Sequence, residues 1–312
     1  MASQTTRERW IAFLLVLPSI ILLGIFVYGF IAWTGRVSMS QWDGIEPNYA
    51  WAGLDNYRTL FSIDIGRIAA RRFHIDLWNT LFFTIFFLLL CVVFGMLLAI
   101  LLDQKIKGEG VFRTVYLFPM ALSFVVTGVV MQWIFAPGAA ARPRGLNALF
   151  ASIGLENLRW GWYTDTGSLG PFHYALIPVF FAAAWQMIGY TMAMYLAGLR
   201  GVPEELREAG RVDGASEIEI YRRIIMPLLR PITLSALIIL GHISLKIFDL
   251  IYTMTGKGPA FVTDVPGIFM FETTFQGNHY SQGAAISIIM LLMVALVIVP
   301  YLVYSLRTEV EL

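Results

Sequence analysis

Six apolar segments, each long enough to cross a bilayer as a helix, constrain this chain more than any other feature. They cover residues 10–33, 79–102, 115–136, 172–199, 231–255 and 283–306. The composition agrees, because 58% of the residues are hydrophobic and only 14% are charged, unlike a soluble domain. We predict an all-α integral membrane protein with six transmembrane helices, with residues 1–9 as the N-terminus and residues 10–312 as one transmembrane domain.

Basic residues predict the orientation of the spans. Lys and Arg are denser on the connections that are cytoplasmic if the N-terminus is inside, although the first outer connection is also basic. Arg7 and Arg9 precede the first apolar run as in a signal peptide, but the run is longer than a signal's apolar region and no clear cleavage site follows. We expect an uncleaved first span, a cytoplasmic N-terminus and a multi-pass protein of the inner or plasma membrane.

A charged stretch, residues 203–231, separates the fourth and fifth apolar segments and is called the polar segment below. Pro203 suits a helix start, and the turn signal Asp213-Gly214 follows. Ser216 and Glu219 fit the S-x-x-E capping box, which predicts a second helix over about residues 217–225. Apolar side chains at helical spacing predict one apolar face on this helix: Ile218, Tyr221, Ile224 and Ile225. The polar segment therefore predicts helix, turn and helix.

The spacing within the polar segment resembles the EAA loop of the permease subunits of bacterial and archaeal ABC importers, which reads E-A-A, three residues, G, nine residues, I-x-L-P. Here Glu208-Ala209-Gly210 is followed by three residues, Gly214, nine residues and the run from Ile224 to Pro227. Gly210 replaces the second alanine, which weakens the first helix by about 1 kcal/mol, and Met226 replaces leucine. The alternative interpretation is a solvated loop between two membrane helices, but the matched spacing argues against a simple loop.

Further motifs resemble the carbohydrate branch of that family. They are the GLDNY run at residues 53–57, Asn79-Thr80, and TGKGP at residues 255–259, where Lys257 replaces a glycine of the family motif. Residues 102–105, 118–123 and 199–202 are most similar to glucose/mannose permeases. The resemblance implies a type I ABC importer permease fold and a sugar substrate, either a monosaccharide such as glucose or mannose or a short oligosaccharide.

The resemblance also implies partners. The chain would pair with a second permease in the lipid membrane, bind two copies of an ATPase inside the cell, and receive sugar from an extracytoplasmic sugar-binding protein. ATP and Mg would be bound by the ATPase, with no cofactor in this chain. Eight residues would couple the polar segment to the ATPase: Glu208, Ala209, Gly210, Asp213, Gly214, Ala215, Ile224 and Pro227. Among them Glu208 would pair with an ATPase arginine, and Gly214 would let the backbone turn.

Polar side chains at membrane depth cost free energy, and they mark either substrate-binding positions or hydrogen bonds between helices. Gln186 and Tyr190 lie four residues apart in the fourth apolar segment and so share a face. An amide suits sugar hydroxyls, and an aromatic ring suits the apolar face of a pyranose. Hydrogen bonding between helices is an equally good explanation for either residue alone.

The fifth apolar segment carries His242, Lys246 and Asp249 at spacings of four and three, which predict one ionisable face. Ser244 lies on a different face. Lys246 and Asp249 either neutralise each other at a subunit interface or belong to the translocation path. The residues that we predict to line the sugar path are Gln186, Tyr190, Ser244, Lys246 and Asp249.

Missing motifs exclude other functions. No G-x-x-x-x-G-K-[ST] occurs, so the chain carries no P-loop. The four histidines have no metal-ligand spacing, the single cysteine cannot form an internal disulfide, and no G-x-S-x-G marks a serine nucleophile. No basic run indicates nucleic acid. We predict a non-catalytic transport subunit; an ion-coupled secondary sugar carrier is the alternative, although no internal repeat supports it.

Overall fold

The computed structural model describes residues 6–62, 68–104 and 106–310, with side chains for all of these except residues 6–8 and 304–310. Residues 1–5 of the predicted cytoplasmic N-terminus therefore lie outside the described residues. The α-helices in chain order are α1 Thr6–Leu23, α2 Phe30–Ser38, α3 Asp55–Leu60, α4 Ile68–Asp103, α5 Glu109–Leu117, α6 Phe124–Ile134, α7 Gly145–Ser152, α8 Leu176–Arg200, α9 Glu204–Val212, α10 Glu217–Ile220, α11 Met226–Leu228, α12 Arg230–Leu245, α13 Asp249–Met254, α14 Pro266–Phe271 and α15 Tyr280–Val310.

Shorter elements connect these helices. π-helical turns occur at Gly24–Gly29, Tyr221–Ile225 and Glu272–Gln276. 3₁₀ turns occur at Phe118–Ala121, Glu156–Leu158, Trp162–Thr164 and Pro259–Phe261. Two antiparallel hairpins pair β1 Gly138–Ala139 with β2 Arg142–Pro143, and β3 Ser168–Leu169 with β4 Phe172–His173.

The helices agree with the predicted class. Among the described residues, four stretches are long and apolar enough to cross a membrane: Arg9–Ser38, Ile68–Asp103, Leu176–Arg200 and Tyr280–Val303. Two bent pairs raise the number to six if each pair is one span: Glu109–Ala121 with Phe124–Ile134, and Glu217–Leu228 with Arg230–Leu245. The predicted all-α membrane fold is confirmed.

The third apolar segment does not form one continuous helix. Its two halves, ending in the 3₁₀ turn Phe118–Ala121 and starting again at α6, meet at 98°. Leu122 is extended, and Ser123 caps α6 by accepting a hydrogen bond from the Val126 N–H. Pro119 lies within the 3₁₀ turn, and because proline has no backbone N–H it cannot donate the hydrogen bond that a continuous α-helix would need there.

The fifth apolar segment is not one helix, which corrects the prediction of a single ionisable face. α12 ends at Leu245, Lys246 caps its C-terminus, and α13 begins at Asp249. Spacings of four and three residues therefore no longer place His242, Lys246 and Asp249 on one face, because the helical repeat does not continue through the break. Neither glycine nor proline marks the break in the sequence.

The chain forms two compact units. One comprises the described residues of Met1–Ala70 with Phe269–Leu291, and the other those of Arg71–Ile268 with Leu292–Leu312. In the first unit the Ser281 N–H donates to the Trp42 carbonyl at 3.0 Å, and the Trp42 and Tyr280 rings lie 4.8 Å apart. The Asn56 amide donates to the carbonyls of Ser38 and Ser40, which fixes α3 after α2.

The second unit contains two buried apolar clusters. The larger cluster joins α4, α8 and α13, with Phe83, Phe87, Leu176 and Leu250 fully buried. The smaller cluster, which we call the inner cluster, contains Ala99, Leu102, Met192, Tyr195, Leu196, Leu199, Ile220, Ile225 and Leu229. Because these residues come from α4, α8 and the polar segment, the inner cluster attaches that segment to two membrane helices.

The second membrane helix begins eleven residues before Asn79, at Ile68. Its added turns carry Arg72, which pairs with the fully buried Asp264 at 2.5 Å. Asn79 donates to the carbonyls of Phe261 and Asp264, at 3.1 and 2.9 Å. These contacts hold a loop in which Ala260 and Phe261 have left-handed φ angles of 52° and 67°.

Candidate functional site

The polar segment has the predicted order of helix, turn and helix. α9 starts after Pro203, and Ser216 with Glu219 forms a capping box in which each side chain bonds the other residue's backbone N–H. Between them, the N–H of Gly214 donates to Arg211 O and the N–H of Ala215 donates to Gly210 O, the paired bonds of a Schellman motif. Gly214 has a φ of 79° with open space around it, so backbone conformation explains the glycine there.

A different constraint explains Gly210. Gly210 is buried, and a β-carbon there would lie 3.1 Å from Ile220 Cγ1 and 3.1 Å from Ile224 Cδ1. The departure from the family pattern at this position therefore lets α9 approach the second helix more closely than alanine allows without a shift of both isoleucines. Ala215, Ile224 and Pro227 are half-buried, and the first two pack against the inner cluster.

The predicted apolar face of the second helix is partly wrong. Ile218 is 79% exposed, whereas Ile220, which was not in the predicted set, is 1% exposed. The π turn at Tyr221–Ile225 accounts for the difference, because its wider i→i+5 spacing changes the phase between residues before and after it and brings Ile220 onto the same face as Ile225. Ile225 thereby joins Ile220 in the inner cluster, and Ile218 faces outward.

The outer side of the polar segment is open. Four of the predicted coupling residues are exposed there: Glu208, Ala209, Asp213 and Gly214. Two large apolar side chains accompany them, Val212 at 87% and Ile218 at 79% exposure. The exposed side of the polar segment therefore combines charged side chains with large apolar ones.

Ion pairs hold the two helices of the polar segment together. Arg211 contacts Glu217 at 2.7 Å and Glu204 at 3.6 Å. The hydrogen bond from Arg211 holds the pKa of Glu217 below its usual value. Hydrogen bonds from the backbone and side chain of Ser216 likewise lower the pKa of Glu219. These groups are exposed, so water screens the pairs and they orient the helices more than they stabilise them.

Gln186, predicted to line the sugar path, is buried at the break of the third apolar segment. It is 2% exposed, and its Nε2 donates to Leu122 O at 2.7 Å. Its Oε1 is buried and has no hydrogen-bond partner among the described residues. Gln186 therefore supplies a donor to the carbonyl that the broken helix leaves free, the contact between helices that was its alternative explanation.

The other predicted path residues do not gather around Gln186. Ser244 is buried, donates to Gly241 O and accepts from Thr84 Oγ1 at 3.0 Å, which joins α12 to α4. Tyr190 is half-buried. Lys246 and Asp249 are exposed, and in the part of the chain that the structure describes they form no ion pair with each other. The predicted path is thus divided between buried helix contacts and exposed positions.

One feature of this site was missed from the sequence. Arg207, in α9, pairs with Asp103 at the end of α4, 104 positions earlier. No local spacing could have linked two residues so far apart.

Among the described residues, no three His, Cys, Asp or Glu side chains lie together in a way that could hold a metal ion.

The sequence of this chain is similar to those of known transport proteins. Residues 91–308 match the family described as "binding-protein-dependent transport system inner membrane component". A probable ABC transporter permease of Pyrococcus horikoshii is 40% identical over 95% of this chain and 96% of that protein. A xylose/arabinose import permease of Haloferax volcanii is 36% identical over 91% of this chain and 84% of that protein.

The fold is similar to a solved structure as well. The structure of a bacterial ABC transporter involved in the import of the acidic polysaccharide alginate has a chain that matches with a TM-score of 0.78 and 21% identity, over 96% of both chains. This agreement in fold accompanies a family match that covers more than half of the sequence. The chain is a multi-pass membrane protein and belongs to the family of binding-protein-dependent transport system inner membrane components.

Proposed function

We propose that this chain is a permease subunit of an ATP-driven sugar importer and that its polar segment docks on a separate ATPase. One observation carries the docking proposal. The polar segment is attached to two membrane helices through the inner cluster, yet it exposes Glu208, Val212 and Ile218 on its other side. Such an element suits a mechanical link, because one side is fixed to the spans and the other is free for a partner.

In this proposal the exposed residues have distinct roles. Glu208 makes a charge-assisted hydrogen bond to an arginine of the ATPase. Val212 and Ile218 fill apolar parts of its cleft, since each leaves most of its surface uncovered in this chain. Gly210 and Gly214 shape the two helices, the first by close packing and the second by its left-handed backbone. We propose a cytoplasmic N-terminus as well, with the polar segment on the side of the ATPase.

The transport cycle then needs no covalent chemistry in this chain. Two ATPase copies bind ATP and Mg and approach each other. They carry the polar segments of this chain and of a second permease with them, and the helices move between inward-open and outward-open states. A sugar released by an extracytoplasmic binding protein enters from the outer side.

The substrate is proposed to be a sugar, on the basis of the carbohydrate motifs and of the relative that imports xylose and arabinose. A monosaccharide such as glucose or mannose, or a short oligosaccharide, is proposed within that class. Tyr190, Lys246 and Asp249 remain our candidates for the sugar path, together with the buried Gln186 and Ser244. A binding scan of the companion sugar-binding protein over mono- and disaccharides tests the substrate class; failure to bind any sugar contradicts it.

Glu208→Ala tests the docking proposal. The full complex, with its second permease, ATPase and binding protein, is reconstituted in vesicles and assayed with radiolabelled glucose, xylose and maltose. We expect normal assembly of the membrane subunits but at least about tenfold lower uptake, because removing one partner of a desolvated charge pair costs about 2–5 kcal/mol. ATP hydrolysis should no longer respond to the loaded binding protein.

Glu205→Ala is the matched control, since Glu205 is exposed on the same helix and lies outside the motif. Its uptake should stay near the wild-type rate. Normal uptake by Glu208→Ala would contradict the docking role. Uptake that follows an ion gradient and ignores ATP would contradict the importer assignment itself.

A further inference from the structure

Arg207 differs from the other charged residues of the polar segment because it points into the protein. Its side chain is 13% exposed, and its partner Asp103 is 9% exposed. Arg207 Nη2 donates to Asp103 Oδ2 at 2.9 Å and also to Leu199 O at 3.2 Å. A single nitrogen therefore joins α9 to the last residue of α4 and to the last turn of α8.

The position of this guanidinium suits the two helices that it contacts. α4 ends at Asp103 and α8 ends at Arg200, so Arg207 lies at the C-terminal ends of both. Helix C-termini carry partial negative charge and favour a cation. The contacts with Asp103 keep the pKa of Arg207 raised even though burial acts in the opposite direction. A guanidinium stays protonated in proteins, so Arg207 places a permanent positive charge at the C-terminal ends of both helices.

A second contact reinforces the same junction. The Arg207 guanidinium lies 5.9 Å from the centre of the Tyr221 ring, and Gln104 donates to the Tyr221 hydroxyl at 3.1 Å. Gln104 directly follows α4. Both helices of the polar segment are thus connected by polar contacts to the end of the same membrane helix.

The burial of this pair separates it from its neighbours. Arg211 and Glu217 form an exposed pair, with 48% and 60% of their side chains accessible. Arg207 also keeps a buried Nε without a hydrogen-bond partner among the described residues. Burying an incompletely bonded charge is an inefficient way to stabilise a fold, and some buried pairs instead fix one arrangement of neighbouring elements.

We propose that Arg207 is a positioning residue that locks the polar segment to the ends of α4 and α8, so that movement of the segment is transmitted to these two spans. The inference rests on the proposed ATP-driven function. The apolar contacts of the inner cluster are non-directional, whereas the hydrogen bonds of Arg207 are directional and define the orientation of the polar segment relative to α4 and α8. Loss of the lock leaves ATP hydrolysis possible but separates it from the movement of the spans.

The test measures sugar transported per ATP hydrolysed by the reconstituted complex, together with the thermal midpoint of the membrane subunits. Arg207→Met should lower the transport ratio about tenfold, within the range seen for residues along a coupling network, while basal ATP hydrolysis continues. Its midpoint should fall, because Asp103 loses its partner. Arg207→Lys should keep the ratio within about threefold of wild type, since one ammonium can replace the single nitrogen that makes both bonds.

A double variant distinguishes positioning from stability. Asp103→Asn with Arg207→Met removes both charges and should recover the thermal midpoint but not the transport ratio. The control is Arg200→Met, which breaks the Arg200–Glu109 pair between α8 and α5 without touching the polar segment, and which should keep the ratio. A normal ratio in Arg207→Met, or recovery of ratio and midpoint together in the double variant, would overturn the inference. A wild-type complex without ATP-driven uptake would instead overturn the proposed function on which it rests.

Discussion

Gln186→Leu separates two roles for one of the two buried residues among those predicted to line the sugar path. At the break of the third apolar segment, the Val126 N–H bonds to Ser123 Oγ, and Leu122 O receives Gln186 Nε2 at 2.7 Å. Leucine keeps the bulk of the side chain but removes that donor. The substitution therefore tests whether Gln186 holds the broken helix together.

The expected loss follows from the contacts. Leaving a buried carbonyl without a donor costs about 1–3 kcal/mol. Part of this loss is offset, because Gln186 Oε1 is itself buried without a hydrogen-bond partner among the described residues. Its removal relieves the desolvation penalty of that oxygen. The net destabilisation should be about 1–2 kcal/mol, which lowers the thermal midpoint by about 2–8 °C in a domain of this size.

Tryptophan fluorescence during heating of the detergent-solubilised protein measures the midpoint. Gln132→Leu is the control, because Gln132 is half-buried in α6 and its side chain makes no hydrogen bond among the described residues; its midpoint should not fall. A midpoint for Gln186→Leu at or above wild type would refute the bracing role. Lost sugar uptake with an unchanged midpoint would assign Gln186 to the sugar path instead.

Three further predictions concern the polar segment. Ser216→Ala removes the cap of α10 and should speed amide exchange over residues 216–221 about fivefold, from a loss of about 1 kcal/mol; unchanged exchange would contradict it. Acid should act in the same direction, because the lowered pKa of Glu219 makes its contribution present above pH 4.5 and lost as pH falls through the folded-state pKa. Gly214→Ala should destabilise the turn by about 1–2 kcal/mol through backbone strain alone, whereas Gly214→Asn should cost less. Equal exchange of the turn amides in both glycine variants would show that φ is not the constraint.

The sequence predicted the polar segment well where neighbouring residues decide the structure. The start after Pro203, the turn at Gly214 and the capping box at Ser216 each depend on contacts within a few positions. The exposure of Ile218 was not predictable in the same way. It depends on the π turn and on tertiary packing, because Ile220 and Ile225 lie in the inner cluster together with residues of α4 and α8.

The membrane helices show the same division. Hydropathy identified the six segments, but it did not reveal that one of them bends by 98° or that another breaks after Leu245. At the second break α13 packs closely on α6, where a β-carbon at Gly128 would lie 2.9 Å from Leu250 O. That close approach comes from tertiary packing, and periodicity within one segment carries no sign of it.

The sequence by itself determined the membrane class, the family resemblance and the local form of the polar segment, because hydropathy, caps and turn residues act within one element. The tertiary structure decided which polar groups meet. Gln186 reaches a carbonyl 64 positions away and Arg207 a carboxylate 104 positions away. Such partners are set by how helices pack, since a buried donor or charge takes whichever acceptor the packed helices bring within reach.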